Sequence, residues 1–177
     1  MIQSFGNSIY GSQAQAVGSV GRAKELVAEL REVQRKLRHP LVSAKHIGFD
    51  LQAFIVNLNF AANEASNLEL VILNPTLIST TAPLVSGLED DLSLPRLEVS
   101  VERPKQICVS FLDENLTQQT AVFSDLGARW ILHGMDQLNG ISIIDKLNLH
   151  RQQSVKAHLK RIVERKIEPA YKLEYDS

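Results

Sequence analysis

A chain of 177 residues with 44% hydrophobic content is long enough to bury one sizeable core. Its net charge of −1 and pI of about 6.5 exclude a global attraction to nucleic acid or anionic membrane, and no apolar run reaches the roughly 18–20 residues of a membrane span. The single Cys108 excludes an intramolecular disulfide; with no signal-peptide pattern at the start, a reducing cytoplasm is the expected setting.

Met1–Gly21 is rich in Gly, Ser, Gln and Asn and is expected to begin the chain as loosely ordered backbone. From Arg22 to about His39, Leu26, Leu30, Val33 and Leu37 recur at helical spacing, and Pro40 stops the helix. His39 and His46 lie in a polar segment around Pro40 and are expected at the surface. Phe54–Phe60 alternates as a strand does, and Leu68–Leu73 and Leu77–Thr81 are further strands separated by a turn or bulge at Asn74-Pro75. Val99–Val101 and Gln106–Asp113 continue the sheet, with Cys108 as a packed thiol. Asp113-Glu114-Asn115 turns the chain into Gln119–Phe123. Ser124 or Asp125 caps a helix running to Leu138, stopped by Asn139-Gly140. Ile141–Ile144 returns to strand.

Ser154–Ile167 forms a basic helix within 151–172. There Arg151, Lys156, Lys160, Arg161, Arg165, Lys166 and Lys172 outnumber Glu164 and Glu168. The fold class is α+β: one domain over 1–177, with antiparallel strands packed around a central helix.

That central helix carries LHGMDQLNG, Leu132–Gly140. The zinc-hydrolase pattern H-E-x-x-H sets two imidazoles one helical turn apart, with a general-base Glu beside the first. Here its positions hold His133, Gly134 and Gln137. Residues four apart share a helix face, so the ligand geometry persists while one imidazole and the base are gone.

Four segments extend the pattern. They are LVILNPTLI (Leu70–Ile78), GLEDDLSLP (Gly87–Pro95), VERPKQICVSFLDEN (Val101–Asn115) and GARWILHGMDQLNGISIIDKL (Gly127–Leu147). In that order they resemble the peptide deformylase family, which reads I-N-P, E-G-C-L-S-x-P, V-x-R-x-x-x-V-x-V-x-x-L-D and A-R-x-x-Q-H-E-x-D-H-L-x-G-x-L-x-x-D. The family's first motif, G-x-G-x-A-A-x-Q, is poorly matched and is aligned through Gln52 of KHIGFDLQ.

The resemblance implies a deformylase-like fold and a metal held by the Cys of E-G-C-L-S and both His of H-E-x-x-H. The matching positions are Asp91, His133 and Gln137. A carboxylate, an imidazole and an amide hold a transition metal far less tightly than thiolate and two imidazoles do. The expectation is therefore no metal, or one weakly bound divalent ion on Asp91, His133 and Gln137. Glu89 matches a Glu that pairs with an Arg at Arg103, so both are structural, and Asp136 is a framework residue. Gln52 and the backbone N–H of Leu92 match the groups that stabilise the oxyanion. An Arg that holds the substrate backbone is replaced by Glu98.

Three readings follow. The first is a deformylase-like pseudoenzyme with a binding or regulatory role, its ligand touching Gln52, Leu92, Gly134 and Gln137. The second is a diverged enzyme using an Asp91–His133 pair for acyl or formyl transfer or amide hydrolysis. The third is an atypical metal-dependent deformylase. The partners implied are a small N-acyl, amide or peptide ligand and a weak ribosome or RNA contact through the basic C-terminal helix; no membrane is implied.

Overall fold

The computed structural model describes residues 1–60, 68–167 and 169–175; Glu168, counted above among the acids of the tail, lies outside them. Alternation in the sequence becomes a five-stranded antiparallel sheet. It is built from β2 (Leu41–Ser43), β3 (Ala53–Asn57), β4 (Glu69–Asp90), β5 (Glu98–Leu112) and β6 (Gln118–Ser124), paired in that order. Two helices cover it. On β3, Phe54 and Val56 point into a core against α2 (Asp125–Leu138), while Ala53 and Ile55 point into a second core against α1 (Val20–Leu37). Both faces of that strand are buried, and each large apolar side chain removed from water there contributes about 1.5–3 kcal/mol.

α1 spans the segment that its periodicity predicts. Ser19 caps it by accepting from the Arg22 N–H, and Arg38 closes it in the left-handed region. α2 starts after Ser124 and ends where Gly140, at φ +74°, turns the chain away. Asn74-Pro75 does not divide two strands. It is a register shift inside a single 22-residue β4, and Asn74 adopts φ +47°. The Asn74 amide grips Val17, accepting from its N–H at 2.8 Å and donating to its carbonyl at 2.9 Å.

Three expectations are corrected. Met1–Gly21 is ordered: Ile2–Gln3 forms β1, paired in parallel with β7 (Leu173–Glu174), and Ser8–Gly11 forms a 3-10 turn. Its polar composition concealed backbone bonding such as Ala14 N–H to the Leu138 carbonyl at 2.7 Å and Gln15 N–H to the Asp50 carbonyl at 3.0 Å. Ile141–Ile144 is a turn held by Asp145 and Ser142; Ile143 and Ile144 are buried, and burial of β-branched residues in a loop leaves the same trace as a strand. The C-terminal helix, α3, runs over Leu149–Val163 from an Asn148 cap, and the chain reverses at Arg165, φ +59°. α3 lays Val155, Leu159 and Ile162 on a third core with Val99 and Val101 of β5. No helix among the described residues is long and apolar enough to cross a membrane.

Candidate active site

α2 and the turn after β4 bring Asp91, His133 and Gln137 together: helical spacing places the latter two on one face, and the family resemblance implies Asp91 beside them. Each is at least nine-tenths buried. The fourth member comes from a 3-10 turn between β2 and β3. His46 is fully buried, with Nε2 3.1 Å from Asp91 Oδ1 and 3.0 Å from Gln137 Nε2. The surface placement expected for His46 and His39 is therefore wrong. His39 is also buried, its Nδ1 2.6 Å from the Leu41 carbonyl and its Nε2 3.5 Å from Asp90.

Gln52 is not at the site. Its amide turns away and donates to the Ala14 carbonyl at 3.1 Å. His46, and not Gln52, is the residue of this stretch that meets Asp91 and Gln137. Neighbouring Lys45 is buried too, its ammonium donating to the Ser12 carbonyl, and burial pushes its pKa down.

Asp91 is the hub. Oδ1 accepts from the Ser93 N–H at 2.7 Å, the Ser93 hydroxyl at 2.6 Å and His46 Nε2. Oδ2 accepts from His133 Nε2 at 2.9 Å and from the Gln137 amide. Burial opposes the charge, but the two imidazoles and their hydrogen bonds outweigh it and hold this carboxyl well below the usual range. A carboxylate offers about four lone-pair directions, and these donors use them all.

The tautomers follow. His46 Nδ1 accepts from the Ser43 N–H at 3.1 Å, so a neutral ring carries its proton on Nε2, aimed at Asp91. Burial pushes the His46 pKa down, which keeps the ring neutral. Both ring nitrogens of His133 are turned on carboxylates, Nε2 on Asp91 and Nδ1 on Glu89 at 3.6 Å. In this arrangement few lone pairs are turned outward. His46 has no lone pair to give at Nε2, the Asp91 oxygens are taken, and Gln137 presents its nitrogen. Among the described residues, no group of three or more His, Cys, Asp or Glu is arranged to hold one.

Gly134 answers a second question. A Cβ placed there would lie 2.9 Å from the ring of Phe54, which is fully buried. The room a Glu would need is filled by that ring. Below, Glu89 and Arg103 form the expected pair: Arg103 Nε donates to Oε1 at 2.7 Å and Nη2 to Oε2 at 2.8 Å. Asp136 takes Arg103 Nη1 at 2.6 Å, a framework contact, and Arg129 Nη1 adds a bond to Glu89 at 2.8 Å. Leu92 is buried, its carbonyl accepting from the Tyr171 hydroxyl at 2.8 Å. Asp91 separates two clefts. One, of 440 Å³, is bordered by His39, Arg96, Glu98 and Tyr171; the other, of 310 Å³, lies under the N-terminal segment.

His46 gives the site a pH signature. Its folded pKa lies below the unfolded value, so the unfolded chain binds the extra proton, and stability falls as pH drops below about 6.5. His39 has the opposite sign: burial lowers its pKa, but the Asp90 carboxylate beside it wins and raises it, so its contribution is lost as pH rises. His46→Gln should flatten the loss of melting temperature between pH 7 and pH 5. An unchanged slope would mean that His46 is not the neutral group.

The comparisons agree with this frame. The family model for polypeptide deformylase matches residues 1–153. A peptide deformylase of Synechococcus sp. (strain RCC307) is 34% identical over 133 residues, covering 73% of this chain and 65% of that protein. One from Chlorobaculum tepidum is 24% identical over 176 residues, covering 99% and 94%. Among solved structures, peptide deformylase 1B of Arabidopsis thaliana superposes with a TM-score of 0.87 at 22% identity, over 98% of this chain and 96% of that one.

Proposed function

This chain belongs to the polypeptide deformylase family, and on that premise we propose that it is a binding member of the family, one that no longer deformylates peptides and holds no metal. The observation that carries this is the filled place beside His133. Gly134 offers no base, and Phe54 occupies the volume a base would take. Loss of a general base alone typically removes about 10²–10⁴-fold in rate. The saturated Asp91 and the donor tautomer of His46 support the absence of a metal. The placement of His133 also weighs against an Asp91–His133 general base, because the ring lines neither of the two clefts where a substrate would sit.

The test is turnover of a formyl-methionyl peptide with and without added Fe²⁺, Zn²⁺ or Ni²⁺, beside metal analysis of protein purified without chelator. The expected result is a rate at least about 10²-fold below the Synechococcus relative and metal well under one equivalent. Robust turnover, or a retained stoichiometric metal, would overturn the reading.

The ligand is a small amide, N-acyl compound or peptide. A separate contact belongs to α3, where Lys156, Lys160 and Arg161 are exposed on the face opposite Ile162. Their pattern supports weak, salt-sensitive binding to ribosomal RNA. Ending the chain at Leu149 would also remove β7, so charge reversal of these three residues is the cleaner test. RNA affinity should drop, and the wild-type affinity should fall steeply between 50 and about 200 mM salt. Equal binding by the reversed protein would dismiss the contact.

A further inference from the structure

β4 runs on past its partner. β3 pairs with Glu69–Leu73 alone, and from Thr76 to Asp90 the strand is laddered only to β5 among the described residues. Arg129 shows which way the other edge faces. Its guanidinium bonds the carbonyls of Val85 and Gly87 together with that of Val101 on β5, so these two β4 carbonyls point to the β5 side. Those of Leu84, Ser86 and Leu88, each one residue away, point to the free side. Pro83, with no N–H to give to a ladder, suits an edge as well.

Edge strands are commonly guarded by charged side chains. This one is not: no charged residue lies between Glu69 and Glu89, in a chain that is 22% charged. Instead Leu77, Ile78, Leu84 and Val85 stand 40, 55, 61 and 43% exposed. Their placement selects the partner, because the four are symmetric about Thr81. Run antiparallel to its own copy through Thr81, the strand sets Leu77 across from Val85 and Ile78 across from Leu84, twice each. The faces agree. Leu77 and Val85 lie opposite Val109 and Arg103 of β5, on the α2 side, while Thr76 and Ser86 lie opposite Ser110 and Glu102, on the other. The register shifts between Leu77 and Ser79 and between Thr81 and Leu84 also fall on either side of Thr81.

A two-fold interface needs a surface complementary to itself, and an uncharged strand meets its copy without like-charge repulsion. We infer that two copies of this chain join edge to edge through Thr76–Ser86 of β4, with the dimer axis at Thr81. The Asp91 hub takes no part, so the pairing holds whether or not the chain deformylates.

Sedimentation velocity of the full chain between about 1 and about 200 µM should show a monomer–dimer equilibrium with a Kd on the order of 10 µM, as a small interface gives. Leu84→Glu should weaken it at least about tenfold by setting an unpaired carboxylate on the apolar contact, and Ile78→Lys should do the same with an ammonium. The two substitutions together should restore the dimer, because the register sets residue 78 of one copy against residue 84 of the other. Within one chain these positions are roughly 20 Å apart and cannot pair. Both side chains are exposed, so the melting temperature should stay at the wild-type value in all three variants. A chain that is monomeric throughout that range, a dimer indifferent to Leu84→Glu, or a double variant no more dimeric than either single one would each overturn the inference; the first would leave the edge to a partner of another kind.

Discussion

Glu89→Gln should lower stability by about 3–5 kcal/mol, because it leaves buried guanidinium charge without its counterion. Glu89 is 4% exposed and meets two arginines at once, Arg103 through paired bonds of 2.7 and 2.8 Å and Arg129 at 2.8 Å. Burial works against its charge, yet the Arg103 bonds prevail and hold its pKa below the usual value. The stability it supplies is therefore present above the unfolded carboxyl pKa and is lost as pH falls through the lower folded one.

Urea unfolding at pH 7 measures the effect. A loss under about 1 kcal/mol would mean that Asp136, with the carbonyls of Val85, Gly87 and Val101 that Arg129 also reaches, satisfies both guanidiniums alone. Glu89→Leu combined with Arg103→Met should recover much of the deficit, since an apolar pair of similar volume leaves less charge stranded.

The second large effect concerns restoration of the metallohydrolase pattern. From the sequence, Gly134→Glu raises helix propensity by roughly 1 kcal/mol, and Asp91→Cys with Gln137→His completes a ligand set. The packing reverses that expectation. A Cβ at Gly134 meets Phe54 at 2.9 Å, and overpacking a filled core typically costs about 1–3 kcal/mol. Gly134→Glu should therefore destabilise, and the triple mutant should take up no stoichiometric Zn²⁺ unless Phe54→Ala is added to open the space. A triple mutant that is as stable as the parent and binds one Zn²⁺ would show that the ring moves aside freely.

These two cases mark where the sequence was legible. Asp91, His133 and Gln137 were readable because each sits in a local pattern: a helix-face spacing for the latter two, a neighbouring Glu for the first. Glu89, Arg103 and Asp136 were readable for the same reason. His46 was not, because a polar neighbourhood predicts exposure when burial is decided by distant chain. Phe54 was unreadable in principle: its role lies in a contact across 80 residues of sequence, with no signature at either end. The sheet order followed from alternation, while the single long β4 did not, because an Asn-Pro bulge and a strand break are written alike.

β1 and β7 pair residues about 170 positions apart: the Ile2 N–H meets the Lys172 carbonyl at 2.9 Å, and the Ser4 N–H meets that of Glu174 at 2.7 Å. Such a closure is entropically expensive and, with only two residues on each side, gains little local support. During synthesis the first strand emerges long before its partner exists, so the cover it anchors over the 310 Å³ cleft is seated last. Fraying of this short pair would loosen the cover over the cleft without disturbing the Asp91 hub beneath it.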